Sequence, residues 1–153
     1  MSFIESIKTV LSNYAVFNGR ARRSEYWWYA LAVTIVSTIL FVILVAPGYG
    51  AYLTSLAEYS TAGDPAAPVP TMPGSLVAGY AIMSIFNLAL LLPGLGVTVR
   101  RLHDTDRSGF WIFFALVPIV GPIMLIVWEA TAGTPGPNQF GPDPKAVAQP
   151  TAA

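Results

Sequence analysis

The sequence predicts an all-α integral membrane protein, and three observations carry that prediction. Of its 153 residues 54% are hydrophobic and only 10% charged, against roughly 25% charge in an ordinary soluble domain. Three uncharged apolar runs have the length of a bilayer crossing. The basic residues gather at the ends of those runs. The expected architecture is one membrane domain: an interfacial amphipathic helix at the N-terminus, then three transmembrane helices, the third broken by Pro118 and Pro122.

The interfacial helix is expected over residues 2–17. Phe3, Ile7, Val10 and Tyr14, flanked by Ile4 and Leu11, recur at helical spacing opposite Glu5, Lys8, Ser12 and Asn13. The acidic leader and full-length first span fit an uncleaved anchor better than a cleaved signal peptide. Residues 26–46, YWWYALAVTIVSTILFVILVA, carry no charge over 21 positions. At about 1.5 Å per residue they cover the ~30 Å hydrocarbon core.

Residues 47–75 read as an outer loop, because GDPAAPVPTMPG is too rich in Pro and Gly for helix interior or ladder. The second span covers residues 76–99, with a bend or frayed end expected at Pro93, Gly94 and Gly96. Residues 100–109 form a cytoplasmic loop. The third span covers residues 110–128. Pro118, Gly121 and Pro122 lie at its middle, so a kinked crossing is favoured and a re-entrant hairpin is the alternative. Residues 129–153 read as a Pro- and Gly-rich tail, extended or turn-rich with a disordered end.

Charge position sets the orientation. Lys8, Arg20, Arg22 and Arg23 precede the first span, Arg100, Arg101 and Arg107 follow the second, and the 47–75 loop has no Lys or Arg. The positive-inside bias places the N-terminus and the 100–109 loop in the cytoplasm of a bacterial inner membrane, and with three crossings it places the tail outside. Tyr26, Trp27, Trp28, Phe110, Trp111 and Trp128 mark the interfaces.

Three segments together resemble a bacterial inner-membrane family known as domain of unknown function number 805, the YhaH-like proteins. They are FNGRARRSEYWW at 17–28, RRLHDTDRSGFW at 100–111 and GTPGPNQFGPDP at 133–144. The resemblance covers most of the chain and implies a small multi-spanning inner-membrane protein. It carries over no substrate, cofactor or catalytic residue.

With no cysteine and one histidine, thiolate chemistry and multi-His metal cages are excluded. No catalytic, metal or cofactor residues are assigned, and no cofactor is expected. The candidate site is a surface of ion pairs and headgroup contacts built from Arg20, Arg22, Arg23, Glu25, Arg100, Arg101, His103, Asp104, Asp106 and Arg107. Topology and carboxylate pairing account for most of these charges, and about three positive charges remain for anionic lipid or phosphate. A hydrolase built on Ser108, His103 and Asp104 is disfavoured, since neighbours in sequence do not face each other merely by adjacency. Asn87 in the second span and Thr34 and Thr38 in the first are expected to make an interhelical polar contact.

The function expected is that of a non-catalytic membrane or interaction component with a basic cytoplasmic surface. The alternative is a small transport or lipid-handling protein, and an enzyme is the less favoured class. The expected partners are membrane lipids, anionic ones included, and a second copy or another membrane protein, but no nucleic acid.

Overall fold

The computed structural model describes residues 1–64 and 66–146. Five α-helices are present: α1 (Phe3–Ser12), α2 (Arg23–Leu44), α3 (Ala46–Ala62), α4 (Gly74–Asp104) and α5 (Val120–Ala130), with a 3₁₀ helix at Gly109–Leu116 before the last. Among the described residues there is no strand, only an isolated bridge between Asn138 and Gly141. The chain forms two compact units, Met1–Ala32 with Leu90–Ala153, and Val33–Ala89.

Helix α1 starts at a reciprocal cap. Glu5 N–H donates to Ser2 Oγ at 3.3 Å, and Ser2 N–H donates to Glu5 Oε2 at 2.7 Å. It stops at Ser12, short of the expected residue 17, because the Asn13 backbone and side-chain amides both turn back to the Thr9 carbonyl. Val10 is fully buried. Phe3 meets Trp28 edge-on, with centroids 5.7 Å apart, which ties this helix to the start of α2.

Helices α2 and α4 are long and apolar enough to cross a membrane. Along them Leu31, Ile35, Ile39, Ile43, Ile85 and Leu88 stand exposed, as side chains facing lipid do. Helix α4 does not fray at Pro93 but runs on for 31 residues to Asp104. The proline removes one N–H from the ladder, and nearby the Tyr29 hydroxyl donates to the Leu90 carbonyl at 3.4 Å. Arg100, Arg101, His103 and Asp104 therefore sit at the C-terminal end of a helix, where a loop was expected.

Two further expectations change. The 47–75 stretch is a loop only in its second half. Its first half is α3, entered through Pro47 in the first turn, where the missing N–H costs nothing, and ended by Gly63 at φ +65°. Val45, Gly48 and Leu76 are buried positions of the Val33–Ala89 unit. Two polar side chains of the spans bond within their own helices: Asn87 donates to the Met83 carbonyl at 2.8 Å and Thr38 to the Thr34 carbonyl at 2.8 Å. For Asn87 and Thr38, two of the three residues (with Thr34) expected to meet between helices, this side-chain bond runs one turn back along the same helix. Asn87→Leu is accordingly expected to move the thermal midpoint in mild detergent by no more than about 2 °C, within the usual range for an exposed substitution.

The third apolar segment breaks at Pro118, where the sequence places its break, but it is not one continuous span. Trp111 and Phe114 in the 3₁₀ helix lie 5.3 and 5.7 Å from Trp128 near the end of α5, centroid to centroid. The two arms thus fold against each other as a hairpin. Each arm is about 16 Å long at its helical rise, half of a ~30 Å hydrocarbon core. Ile119 at the tip takes φ +65°, a strained position for a β-branched residue. Gly121 lies so close to the Phe114 carbonyl that a Cβ there would collide with it. Two prolines without donors and one glycine at the contact are the physical reason for the fold-back. Residues 131–146 then return over the end of α4. Residues 147–153 of the expected tail lie outside the described residues.

Candidate functional site

The three motif segments meet in the unit formed by residues 1–32 and 90–146, around the C-terminus of α4. A helix ends with carbonyls that lack intrahelical donors, and here other segments supply those donors. Ala21 N–H donates to the Arg100 carbonyl at 2.9 Å and Thr134 N–H to the Asp104 carbonyl at 2.8 Å. Asn138 Nδ2 donates to the His103 carbonyl at 2.8 Å. The helix end is capped by the first and third motifs.

Asp104, 3% exposed, is the centre of the site. Its Oδ1 accepts from Arg20 Nε at 3.0 Å and pairs with Arg20 Nη2 at 2.9 Å, and its Oδ2 pairs with Arg101 Nη1. Two guanidinium groups on one carboxylate leave an excess positive charge away from water. Backbone dipoles offset it: Arg20 also donates to the carbonyls of Gly136 and Thr134, each at 2.6 Å. Arg101, fully buried, donates to the carbonyls of Glu129, at 3.0 Å, and Thr131. Gly133 is in such close contact with the Asp104 carboxylate that a side chain there would strike it.

A second buried pair joins Glu25 to Arg100 at 2.9 Å. The other candidates lie around these pairs. Arg22 Nε donates to the Pro144 carbonyl at 2.8 Å, with Nη2 on the same oxygen, and Arg23 reaches the Ala130 carbonyl at 3.3 Å. Arg107 lies 5.2 Å over the Trp128 ring and donates to the Thr105 carbonyl at 3.2 Å. Asp106, at φ +58°, accepts from Gln139 Nε2 at 3.2 Å and makes no ion pair among the described residues. His103 donates through Nδ1 to the Gly19 carbonyl at 3.1 Å, and its ring stacks on Phe140 at 3.9 Å.

The arginines that were expected to remain for phosphate are therefore largely committed. The forks of Arg20, Arg22, Arg23 and Arg101 are held by Asp104 and by main-chain oxygens of residues 129–144, whereas Arg100 pairs with Glu25 and keeps Nε and Nη2 buried without a hydrogen-bond partner among the described residues. Ser108, His103 and Asp104 do not converge either, because the imidazole Nδ1 faces a carbonyl and the carboxylate faces arginines.

Sequence reasoning missed the tail's part in the site. Thr134, Gly136, Asn138 and Phe140 are structural members of it, and Asp143 braces the turn, accepting from Lys145 N–H at 2.8 Å and Gly136 N–H at 3.3 Å. These bonds hold the Asp143 carboxyl below the usual carboxylate range, the bond from Lys145 being the larger cause. Glu129 was also missed. It is 1% exposed, with both carboxyl oxygens unpartnered among the described residues. The available signal was its place as a lone carboxylate at the end of an apolar run.

Comparison with known proteins agrees with the three-motif arrangement. The chain is 39% identical over 137 residues to Inner membrane protein YhaH of Escherichia coli (strain K12), covering 89% of this chain and 93% of that protein. It is likewise 39% identical over 137 residues to Inner membrane protein YhaI of the same organism, covering 90% and 92%. No solved structure matches it. The model of the family described as "Protein of unknown function (DUF805)" matches residues 14–142, from just after α1 to the turn that closes over Asp104, and this all-helical membrane protein belongs to that family.

Proposed function

We propose that the protein is a non-catalytic membrane component, inserted by α2 and α4 as two crossings, that presents the clamped unit around Asp104 on the cytoplasmic face as an interaction platform. One observation carries the reading: the side chains best suited to chemistry are used to hold chain segments together. Asp104 takes two arginines, Glu25 takes Arg100, His103 holds the Gly19 carbonyl, and Arg20, Arg22, Arg23 and Arg101 close on the backbone of residues 129–144. In this reading the partners are bilayer lipid along the exposed faces of α2 and α4, and another membrane protein or a second copy at the platform. Attraction to anionic headgroups is secondary, by charge rather than by aimed hydrogen bonds.

The fold-back at Pro118 also supports the orientation. Arg101 bonds the Thr131 carbonyl across the base of the hairpin, so the segment carrying Lys145 falls on the same side as α1. All eight Lys and Arg of the chain then lie on one side, as the positive-inside bias favours. Reporter fusions after Ser60, Asp106 and Lys145 are expected to read outside, inside and inside. An outside reading at Lys145 with an inside reading at Asp106 would restore a crossing at 110–128 and overturn the platform.

A further inference from the structure

On the other side of His103 lies a cavity of about 450 Å³, within the size range of small-ligand sites. Its walls are mostly apolar, with Phe17, Leu95, Val99, Phe110 and Phe113; Asn18, His103 and Ser108 are its polar lining, and no Lys, Arg, Asp or Glu lines it. Phe110 and Phe113 are 80% and 62% exposed, so the cavity is flanked by rings that have no protein cover.

Within the polar lining, Ser108 Oγ already accepts from the Phe110 N–H at 3.3 Å, and His103 supplies an acceptor fixed in place. A carbonyl oxygen only accepts, so the bond to Gly19 at 3.1 Å places the ring proton on Nδ1. In the neutral ring Nε2 is then a bare acceptor, and it has no partner among the described residues. It points to the cavity side, since a Cβ built on Gly109, another lining residue, would lie 3.3 Å from it. The absence of a side chain at Gly109 leaves this nitrogen reachable. The ring is held in place by the parallel Phe140 ring, 3.9 Å away, and by the Asn138 bond to the His103 carbonyl. A fixed acceptor in a mostly apolar, uncharged cavity matches a ligand with a hydroxyl donor and a hydrocarbon body. It does not match a phosphate, which brings acceptors and charge to a site without cations.

We infer that this cavity binds a neutral lipid alcohol of the diacylglycerol type, its free hydroxyl donating to His103 Nε2 and an acyl chain lying against Phe110 and Phe113. The inference does not depend on the orientation of the protein or on the platform reading. Because His103 is the chain's only histidine, ¹⁵N-histidine labelling gives a spectrum with one imidazole. In phosphatidylcholine nanodiscs, added dioleoylglycerol is expected to shift the Nε2 resonance in the direction of an accepted hydrogen bond and leave Nδ1 in place. Its O-methyl ether, which has no donor, is expected to leave both in place.

Native mass spectrometry from mild detergent supplies the second measurement. His103→Phe should retain about five- to tenfold less dioleoylglycerol, the loss of one neutral hydrogen bond. Phe110→Ser, at an exposed position, should lower retention severalfold with an unchanged thermal midpoint, which separates binding from folding. An Nε2 resonance unmoved by dioleoylglycerol, moved equally by the ether, or moved only by phosphatidic acid would overturn the proposal. Retention unchanged in folded Phe110→Ser would do the same.

Discussion

Asp104→Ala is expected to lower the yield of folded protein more than any other single substitution at the platform. The carboxylate neutralises Arg20 and Arg101 in a site where both guanidinium groups are almost without solvent. Removing it leaves two buried cations facing each other across a cavity. Breaking a buried pair by deleting one partner typically costs about 3–5 kcal/mol, because the charge left behind keeps its desolvation penalty. Here two charges are left, and total stability is only on the order of 5–15 kcal/mol. The negative end of the α4 dipole softens the cost but cannot replace a full charge. Asp104→Asn should be intermediate: its amide oxygen still accepts from one arginine while its NH₂ points at the other. Size-exclusion profiles of detergent extracts, with thermal midpoints for whatever remains folded, give the ranking. A monodisperse Asp104→Ala protein at wild-type yield would mean that the pairs are not what holds the three segments together.

How much of this site was legible in the sequence depends on which kind of group makes each bond. Uncharged runs reveal α2 and α4 because solvent exclusion from a bilayer demands uninterrupted apolar side chains. The basic motifs point to one side for the same reason in reverse. The pairing of Glu25 with Arg100, and of Arg20 with Asp104, joins residues whose charges are visible in the sequence. The tail is different. It clamps through the carbonyls of Thr131, Thr134, Gly136 and Pro144, and a carbonyl is common to every residue, so no side-chain pattern announces it. Helix α3 was hidden by averaging: the Pro-rich residues after Gly63 colour the whole 47–75 interval, although Tyr52 to Glu58 contains nothing that opposes a helix. The hairpin was legible as an alternative only, since prolines at 118 and 122 say that the segment bends but not how far. The contact of Trp111 and Phe114 with Trp128 decides it.

Glu129→Gln is expected to stabilise the protein at alkaline pH and to remove the fall in stability that Glu129 causes between about pH 5 and 8. The residue sits at the base of the hairpin, 1% exposed, beside the guanidinium that holds the platform. Yet Arg101 spends its donors on the Glu129 main-chain oxygen, on Asp104 and on Thr131, and neither side-chain oxygen of Glu129 has a hydrogen-bond partner among the described residues. Burial pushes this carboxyl up to about 8, against the pull of Arg101. The folded protein therefore holds a proton that the unfolded chain releases near its ordinary value of 4.5. Between those two values the folded state binds more protons than the unfolded state, so stability falls as pH rises from about 5 to 8 and levels off above it. Glutamine keeps the shape of the protonated acid and never has to ionise. In apparent thermal midpoints taken at one scan rate, the wild type should drop across this interval relative to Glu129→Gln, which lies higher at pH 8.5 by roughly 5 °C or more. Parallel curves for the two proteins would show that Glu129 is already ionised and paired in the folded state, and would remove it as the source of the pH dependence.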